Sequence, residues 1–328
     1  MRRSYELGLY EKALPAELSW EERLRMAGAC GFDYVELSVD ESDARLARLD
    51  WTPDERRELM RAMERTGVPI RSLCLSGHRM YPLGSSDASV CARSVELAER
   101  ACELASDLGA RTVQLAGYDV YYEPSTPDTQ ARFARNLERV VEAAARHGVM
   151  LGFETMETPF MDTVAKAMMY VHQIGSPYLG VYPDLGNLTN AALAYGGSVG
   201  KDIACGHGHI VAAHCKETRA GTYRDMTFGE GTTDYAGGLA ALVSQGVRRF
   251  VAEFWYLGSP TWEADAMQAA AFVRGKIEEA LAQEELDAPA VPTRACAAAE
   301  GQCAMDELEA AAHAGCAVAG EGGCHALS

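Results

Sequence analysis

Four residues with metal-binding side chains interrupt apolar segments in the second half of the chain. They are Glu154 after Leu-Gly-Phe, Asp184 after Val-Tyr-Pro, His214 after Val-Ala-Ala and Glu253 after Phe-Val-Ala. A lone charge in such a segment is costly unless it is paired or bound to a cation, and neighbouring carboxylates repel one another. Mixed carboxylate and imidazole ligation suits Mn²⁺, Co²⁺, Zn²⁺ or Mg²⁺. These residues predict one divalent metal ion, with a structural polar cluster as the alternative.

The segments around these residues alternate between strand and helix. Short runs of apolar and β-branched residues predict strands at 5–11, 34–39, 69–76, 112–118, 150–156, 179–184, 210–217 and 249–256. Helices are predicted at 20–30, 53–66, 87–108, 126–147, 162–174, 191–205, 234–245 and 262–283. Glycines are expected to end five helices, at Gly31, Gly67, Gly109, Gly148 and Gly246.

This alternation predicts an α/β fold, a (β/α)8 TIM barrel formed by residues 1–286. A doubly wound open sheet is the alternative, but no glycine-rich dinucleotide fingerprint follows the first strand. The remaining segment, 287–328, is rich in Ala and Cys after a DAPAVP linker, and we expect it to be a disordered tail. A metal-binding tail is the alternative there.

Polar residues collect at one end of the predicted barrel. Enzymes of this fold place their chemistry at the carboxyl ends of the strands, where the four metal-type residues lie. Further polar side chains lie in or just after strands toward the same end: Glu36, His78, Arg79, Lys216 and Arg219. A glycine-containing segment, FGEG (228–231), follows the seventh strand and can approach a phosphate closely. Together they predict a pocket for a small polyhydroxylated or phosphorylated molecule. Lys216 is the expected phosphate ligand, because its side chain alternates to the same face as that of His214.

Composition bounds the possible partners. The 328 residues include 30 Lys and Arg against 47 Asp and Glu, a net charge of −17, which disfavours a nucleic-acid partner. No apolar run approaches the roughly 20 residues of a membrane helix, so no membrane partner is expected. The N-terminal segment lacks the apolar stretch of a signal peptide, which makes the cytoplasm the expected location.

Several segments carry a specific resemblance. They are LGLYEKALP (7–15), GFDYVELSVDESDARLARLDW (31–51), LCLSGHRMYPLGS (73–85), QLAGYDVYY (114–122), YPDLGNL (182–188), GHIVAAHCKET (208–218) and FGEGTTDY (228–235). With these segments the chain resembles the L-ribulose-5-phosphate 3-epimerase family of isomerases, from about Gly8 to Lys276. That family belongs to the xylose isomerase-like barrels and serves ascorbate catabolism.

The resemblance implies an activity and roles for the residues. It implies epimerisation at C3 between L-ribulose 5-phosphate and L-xylulose 5-phosphate through a cis-enediolate, with Glu154 and Glu253 as acid and base. Both would also ligate the metal with Asp184 and His214, so their titrations should be coupled. The residues expected to bind the substrate are Glu36, His78, Arg79, Asn187, Lys216 and Arg219.

Asn187 marks a departure from related ketose epimerases, which have His three residues after the metal-binding Asp. Asn187 retains the ability to hydrogen-bond a sugar hydroxyl. Other readings stay open: a non-phosphorylated ketose 3-epimerase, a sugar isomerase, an endonuclease IV-type phosphodiesterase or a non-catalytic sugar-binding protein. A homodimer is a possible assembly.

Overall fold

Eight parallel strands form a barrel in the computed structural model, which describes residues 3–287. The strands are β1 Glu6–Tyr10, β2 Tyr34–Ser38, β3 Ile70–Leu75, β4 Thr112–Ala116, β5 Met150–Glu154, β6 Leu179–Tyr182, β7 Ala213–Cys215 and β8 Arg249–Ala252. They pair in the order β6-β5-β4-β3-β2-β1-β8-β7. Isolated parallel bridges, Val181 to Ile210 and Asp184 to His214, join β6 to the β7 segment and close the barrel. The predicted barrel and its strands are confirmed.

Helices follow the strands and cover the outside of the sheet. They are α1 Trp20–Ala29, α2 Asp43–Leu46, α3 Pro53–Thr66, α4 Ala88–Asp107, α5 Pro127–His147, α6 Val164–Ile174, α7 Leu185–Tyr195, α8 Val199–Ala204, α9 Tyr235–Val243 and α10 Trp262–Asp287. Ser19 and Thr52 form capping boxes at the starts of α1 and α3, which satisfy free backbone N–H groups there. The five glycines expected near helix ends all have positive φ, from 65° to 97°.

One predicted helix is wrong. The segment 191–205 is two helices, because α7 begins at Leu185, immediately after Asp184, and ends before Gly196. The Asp184 carboxylate accepts a hydrogen bond from the Asn187 N–H and so caps α7. Gly196 adopts a left-handed φ of 66°, which ends the helix. Asp184, one of the predicted metal ligands, therefore also caps the N-terminus of α7.

The apolar core lies between the barrel and its helices, and a tyrosine fills part of the barrel interior. Tyr34 of β2 is 1% exposed, packs with Val251, and donates a hydrogen bond to the Phe250 carbonyl at 3.0 Å. A Cβ at Gly8 of β1 would lie 2.4 Å from the Tyr34 ring, so only glycine fits there. This packing fills the barrel interior between β1, β2 and β8.

The compact unit that contains the barrel ends at Glu284. Residues 288–328 lie outside the described residues, so the expected tail stays a prediction. None of the helices in residues 3–287 is both long and apolar enough to cross a bilayer.

Candidate metal centre and catalytic pocket

Four consecutive strands bring the predicted metal ligands together. Glu154 is the last residue of β5, Asp184 lies just beyond β6, His214 is in β7 and Glu253 follows β8. All four are buried, and each offers a ligand atom within 4.8 Å of the others. Parallel strands in register deliver their carboxyl ends to one mouth, which is why residues far apart in sequence meet here. We call these four residues the floor of the pocket.

The His214 ring is held between the floor and a buried glutamate. Its Nδ1 lies 2.9 Å from Glu154 Oε1, 3.6 Å from Glu253 Oε2 and 3.9 Å from Asp184 Oδ2. Its Nε2 lies 2.7 Å from Glu36 Oε1. A carboxylate on the far nitrogen fixes the ring orientation and directs the other nitrogen toward a metal.

Glu36 was expected to bind substrate, but it lies behind the histidine. It is fully buried and accepts hydrogen bonds from Ser72 Oγ at 2.6 Å and from the Tyr182 hydroxyl at 3.0 Å. These partners belong to β3 and β6, so Glu36 ties strands across the barrel interior. Its side-chain contacts are with His214 and with residues of neighbouring strands, and it does not line the cavity.

Lys216 also faces the floor. Its Nζ lies 3.0 Å from Asp184 Oδ2 and 3.3 Å from Glu253 Oε2, and the residue is 6% exposed. His214 and Lys216 are two residues apart on one extended segment, so their side chains share a face. The sequence suggested Lys216 as a phosphate anchor, but the structure places it among the carboxylates.

The two glutamates of the floor have pKa values displaced in opposite directions. Burial, with the negative charge of Glu253, raises the pKa of Glu154. Burial opposes ionisation of Glu253 as well, but Lys216 and His214 lower its pKa below the ordinary value. Burial also raises the pKa of Asp184, to about 7, so Glu154 is not the only floor carboxyl that burial disposes to hold a proton.

The donor set fits a divalent cation. Although burial opposes it, Glu36, Glu253 and Glu154 raise the pKa of His214 well above its ordinary value, so the floor attracts positive charge. Asp184 Oδ2 and Glu253 Oε2 are buried oxygens that accept no hydrogen bond, although Lys216 lies near both. Three carboxylates and one imidazole are ligands that Mn²⁺, Zn²⁺, Co²⁺ and Mg²⁺ accept. The floor can therefore bind a metal ion.

A small cavity of about 60 Å³ lies above the floor. Besides residues of the floor and Lys216, its walls are formed by Tyr10, Lys12, Cys74, Ser76, Arg79, Met156, Glu157, Asn187, Tyr223, Arg224 and Trp255. The Asn187 side chain donates to the Thr155 carbonyl at 2.7 Å, while its Oδ1 is buried without a hydrogen-bond partner. That free oxygen is a suitable acceptor for a sugar hydroxyl.

Besides Glu36, two predicted substrate ligands do not line this cavity. His78 is 1% exposed, and its Nε2 lies 3.1 Å from the Ser94 carbonyl of α4. Burial lowers the pKa of His78 to about 4, which is typical of a neutral core histidine. Arg219 is exposed and donates to the Glu230 carbonyl at 2.6 Å.

The glycine-containing FGEG segment is also engaged within the protein. The backbone N–H of Gly229 donates to Glu217 Oε2 at 2.7 Å. Glu217, 3% exposed, also receives the N–H of Thr233 at 3.3 Å. This carboxylate holds the loop after β7 in place, so the Gly229 N–H is directed at Glu217 rather than into the cavity.

Sequence reasoning missed several site residues. Gln114 of β4 donates its side-chain N–H to Glu154 Oε2 and is fully buried. A polar residue inside an apolar strand was the available signal for it. Lys12, Arg224 and Trp255 also line the cavity, but they lie outside the strands, where sequence position gives little information about direction.

Comparison with known proteins agrees with this architecture. The xylose isomerase-like TIM-barrel family matches residues 24–276. The L-ribulose-5-phosphate 3-epimerases UlaE of Salmonella paratyphi C (strain RKS4594) and Salmonella choleraesuis (strain SC-B67) are each 42% identical over 275 residues, 84% of this chain and 95% of the relative.

Solved structures show the same fold at lower identity. An L-ribulose 3-epimerase structure superposes with a TM-score of 0.67 at 23% identity, covering 88% of this chain and 100% of that chain. A D-tagatose 3-epimerase-like protein superposes with a TM-score of 0.69 at 18% identity, covering 85% and 99%. The chain therefore belongs to the xylose isomerase-like TIM-barrel family and, within it, to the L-ribulose-5-phosphate 3-epimerases.

Proposed function

We propose that this protein is a metal-dependent epimerase that interconverts L-ribulose 5-phosphate and L-xylulose 5-phosphate at C3. The observation that carries the proposal is the buried group Glu154, Asp184, His214 and Glu253, whose ligand atoms lie within 4.8 Å of one another and which places two glutamates beside one candidate metal site. The 42% identity to L-ribulose-5-phosphate 3-epimerases supports the substrate class.

Glu253 and Glu154 each carry out one of the two proton transfers. Glu253, ionised beside Lys216, removes the C3 proton, and Glu154 delivers its proton to the other face. The two roles exchange in the reverse direction. Held by Glu154, Asp184, His214 and Glu253, a divalent cation would supply Lewis acidity that stabilises the negative charge developing on the substrate oxygens. Asn187 Oδ1 accepts a hydrogen bond from a sugar hydroxyl.

The metal would be Mn²⁺, Zn²⁺, Co²⁺ or Mg²⁺, held by the four floor residues, at one ion per barrel. Reconstitution of chelator-treated protein with each ion, followed by metal analysis and assay, ranks them. A homodimer and a cytoplasmic location stay predictions; sedimentation and cell fractionation, respectively, check them.

One assay tests the function. The purified protein, with and without added Mn²⁺, is incubated with L-xylulose 5-phosphate and, separately, with L-xylulose in deuterated water. We expect epimerisation of the phosphorylated sugar, with deuterium at C3 of the product, because the hydrogen that Glu154 delivers there has exchanged with the deuterated water. Turnover of only the free sugar would instead identify a ketose 3-epimerase, and turnover of neither would contradict the proposal.

A further inference from the structure

A buried carboxylate gathers three arginines at the end of β1. Glu11 lies in the 3-10 turn that follows this strand and is 1% exposed. Its Oε1 lies 3.1 Å from Arg23 Nη1 and 3.6 Å from Arg45 Nε, and its Oε2 lies 2.6 Å from Arg48 Nη1. We call these four residues the Glu11 cluster. It joins the end of β1 to α1, to α2 and to the 3-10 turn after α2.

Two arginines of the Glu11 cluster have further partners that fix their positions. The Cζ atoms of Arg23 and Arg48 lie 5.2 Å and 5.1 Å from the centre of the Trp20 ring. Arg23 also donates to the carbonyl groups of Ala16 and Leu18, at 2.5 Å and 2.9 Å. A buried carboxylate is stable only when its charge is paired, so cations held in this way determine where Glu11 lies.

The Glu11 cluster also contacts the end of the second strand. Glu11 Oε2 accepts the backbone N–H of Ser38, the last residue of β2, at 2.8 Å. Arg48 donates to the Ser38 carbonyl at 2.7 Å. The Ser38 Oγ lies 3.1 Å from the hydroxyl of Tyr10, which lines the cavity above the floor. Ser38 therefore connects the Glu11 cluster to the cavity wall.

The residues on either side of Glu11 belong to that wall. Tyr10 and Lys12 both line the cavity, whereas Glu11 between them contacts the arginines. The Lys12 Nζ is paired with Asp40, and its backbone carbonyl accepts the N–H of Tyr256, in the loop after β8, at 2.8 Å. A shift of the turn at Glu11 would therefore displace the wall at the ends of β1, β2 and β8.

The proton-transfer scheme leaves this part of the sequence without a role. Glu11, Arg45 and Arg48 lie in two of the segments that carry the family resemblance, 7–15 and 31–51. Neither segment supplies a residue of the floor. A role in holding the cavity wall would account for these charged residues in both segments.

We infer that Glu11 is a positioning residue, whose carboxylate holds the turn after β1 so that Tyr10 and Lys12 keep their places in the cavity wall. For its kinetic consequence this inference rests on the proposed function. Glu11 does not line the cavity, so it acts through its neighbours. A wall that contacts the sugar equally before and during proton transfer affects KM rather than kcat. Loss of the Glu11 charge should therefore weaken substrate binding without changing the chemistry at the floor.

The test compares Glu11→Gln with Asp33→Asn in the full-length, metal-loaded protein. Asp33, at the opposite end of the barrel, is a matched control because its carboxylate accepts the Leu7 N–H at 2.8 Å and pairs with the buried Arg274 at 2.8 Å. Both variants neutralise the partner of a buried arginine, so both should lower the melting temperature. Only Glu11→Gln should raise KM for L-xylulose 5-phosphate, by roughly 10–100-fold, with kcat and bound metal within about twofold of wild type.

Hydrogen exchange gives a readout that needs no turnover. The amides of Ser38 and Tyr256 donate to Glu11 and to the Lys12 carbonyl. Both should exchange about tenfold faster in Glu11→Gln than in wild type, because the wall opens locally more often. Asp33→Asn should leave the exchange of these two amides close to that of wild type.

A second variant, Arg45→Gln, covers the case in which Glu11→Gln does not fold. Arg45 lies at the edge of the Glu11 cluster, with 22% of its side chain exposed, so its loss should be tolerated. It should change KM and exchange in the same direction, but less. In an active enzyme, an unchanged KM in the folded cluster variants, or an equal rise in Asp33→Asn, would overturn the positioning role and leave the epimerase proposal standing. Faster exchange confined to the cluster variants of a protein that does not epimerise the sugar would support the positioning role and refute the proposed function.

Discussion

The floor of the pocket and its rim are built in different ways. The floor residues lie in or within two residues of β5 to β8, and their positions follow from strand register. The rim carries Lys12, Arg79 and Arg224, which lie in turns and loops beyond β1, β3 and β7. Strands fix where their side chains point, whereas loops depend on the contacts that hold them. Residues fixed at strand ends can support a chemistry that is common to the fold, whereas residues in loops can determine which substrate binds.

Substitution of either floor glutamate should have the largest effect. Glu154→Gln and Glu253→Gln each remove one acid–base group and one candidate metal ligand. We expect each to lower kcat by at least about 10²–10⁴-fold while thermal unfolding stays cooperative. Single-turnover kinetics and circular dichroism measure the two outcomes. Near wild-type kcat in either variant would contradict the two-glutamate scheme.

Substitution of Lys216 tests whether this residue serves the floor or the rim of the pocket. Because its ammonium contacts Asp184 and Glu253, Lys216→Gln should reduce kcat for phosphorylated and free ketose alike, by about 10²-fold. Steady-state kinetics on both sugars provide the check. A rise in KM confined to the phosphorylated sugar would assign Lys216 to the rim instead, as its sequence position first suggested.

Substitution of Glu36 tests whether metal binding at the floor depends on a residue that does not line the pocket. Glu36→Gln weakens the partner of His214 Nε2 without changing size, so metal affinity should fall roughly 10–100-fold. Competition with a chelating indicator measures the dissociation constant. If added metal restores the activity of the variant, the role is positioning; unchanged affinity would mean that the ring is oriented by other contacts.

His78 should affect acid stability rather than catalysis. Its pKa is about 4 in the folded protein, against 6.5 ordinarily, so the unfolded chain binds more protons between these values. Stability is therefore lost as pH falls from about 6.5 to about 4, by about 2 kcal/mol at pH 5. His78→Gln lacks this titration, so its free energy of unfolding should fall less than that of wild type between pH 7.5 and pH 5, as measured by urea unfolding. An equal fall in the free energy of unfolding for wild type and His78→Gln would contradict the burial of a neutral His78 ring.

Removal of residues 288–328 should have the smallest effect. The truncation keeps Asp287, the last residue of α10. The eight repeats end before this segment, whose composition is Ala-rich after a linker, so activity and melting temperature should stay nearly unchanged. Loss of bound metal or of solubility would give the segment a function and revive its Cys and His residues as ligands.

Much of the floor could be predicted because its signals are local. Glu154, Asp184, His214 and Glu253 each break an apolar run, and eight repeats place such breaks at one mouth. The same reasoning failed for His78, which also follows a strand but turns into the core against α4. It failed for the helix at 191–205 because the capping role of Asp184 was not recognised.

The sequence by itself determined the barrel, its strands and the ligand types at the floor, since periodicity and polar interruptions are properties of short segments. Only the tertiary structure decided that Glu36 supports His214 and that Lys216 faces carboxylates. It also decided that Arg224 meets Trp255 across 31 positions of chain. Those relations join residues distant in sequence, and their geometry depends on barrel closure and loop packing, which no local pattern records.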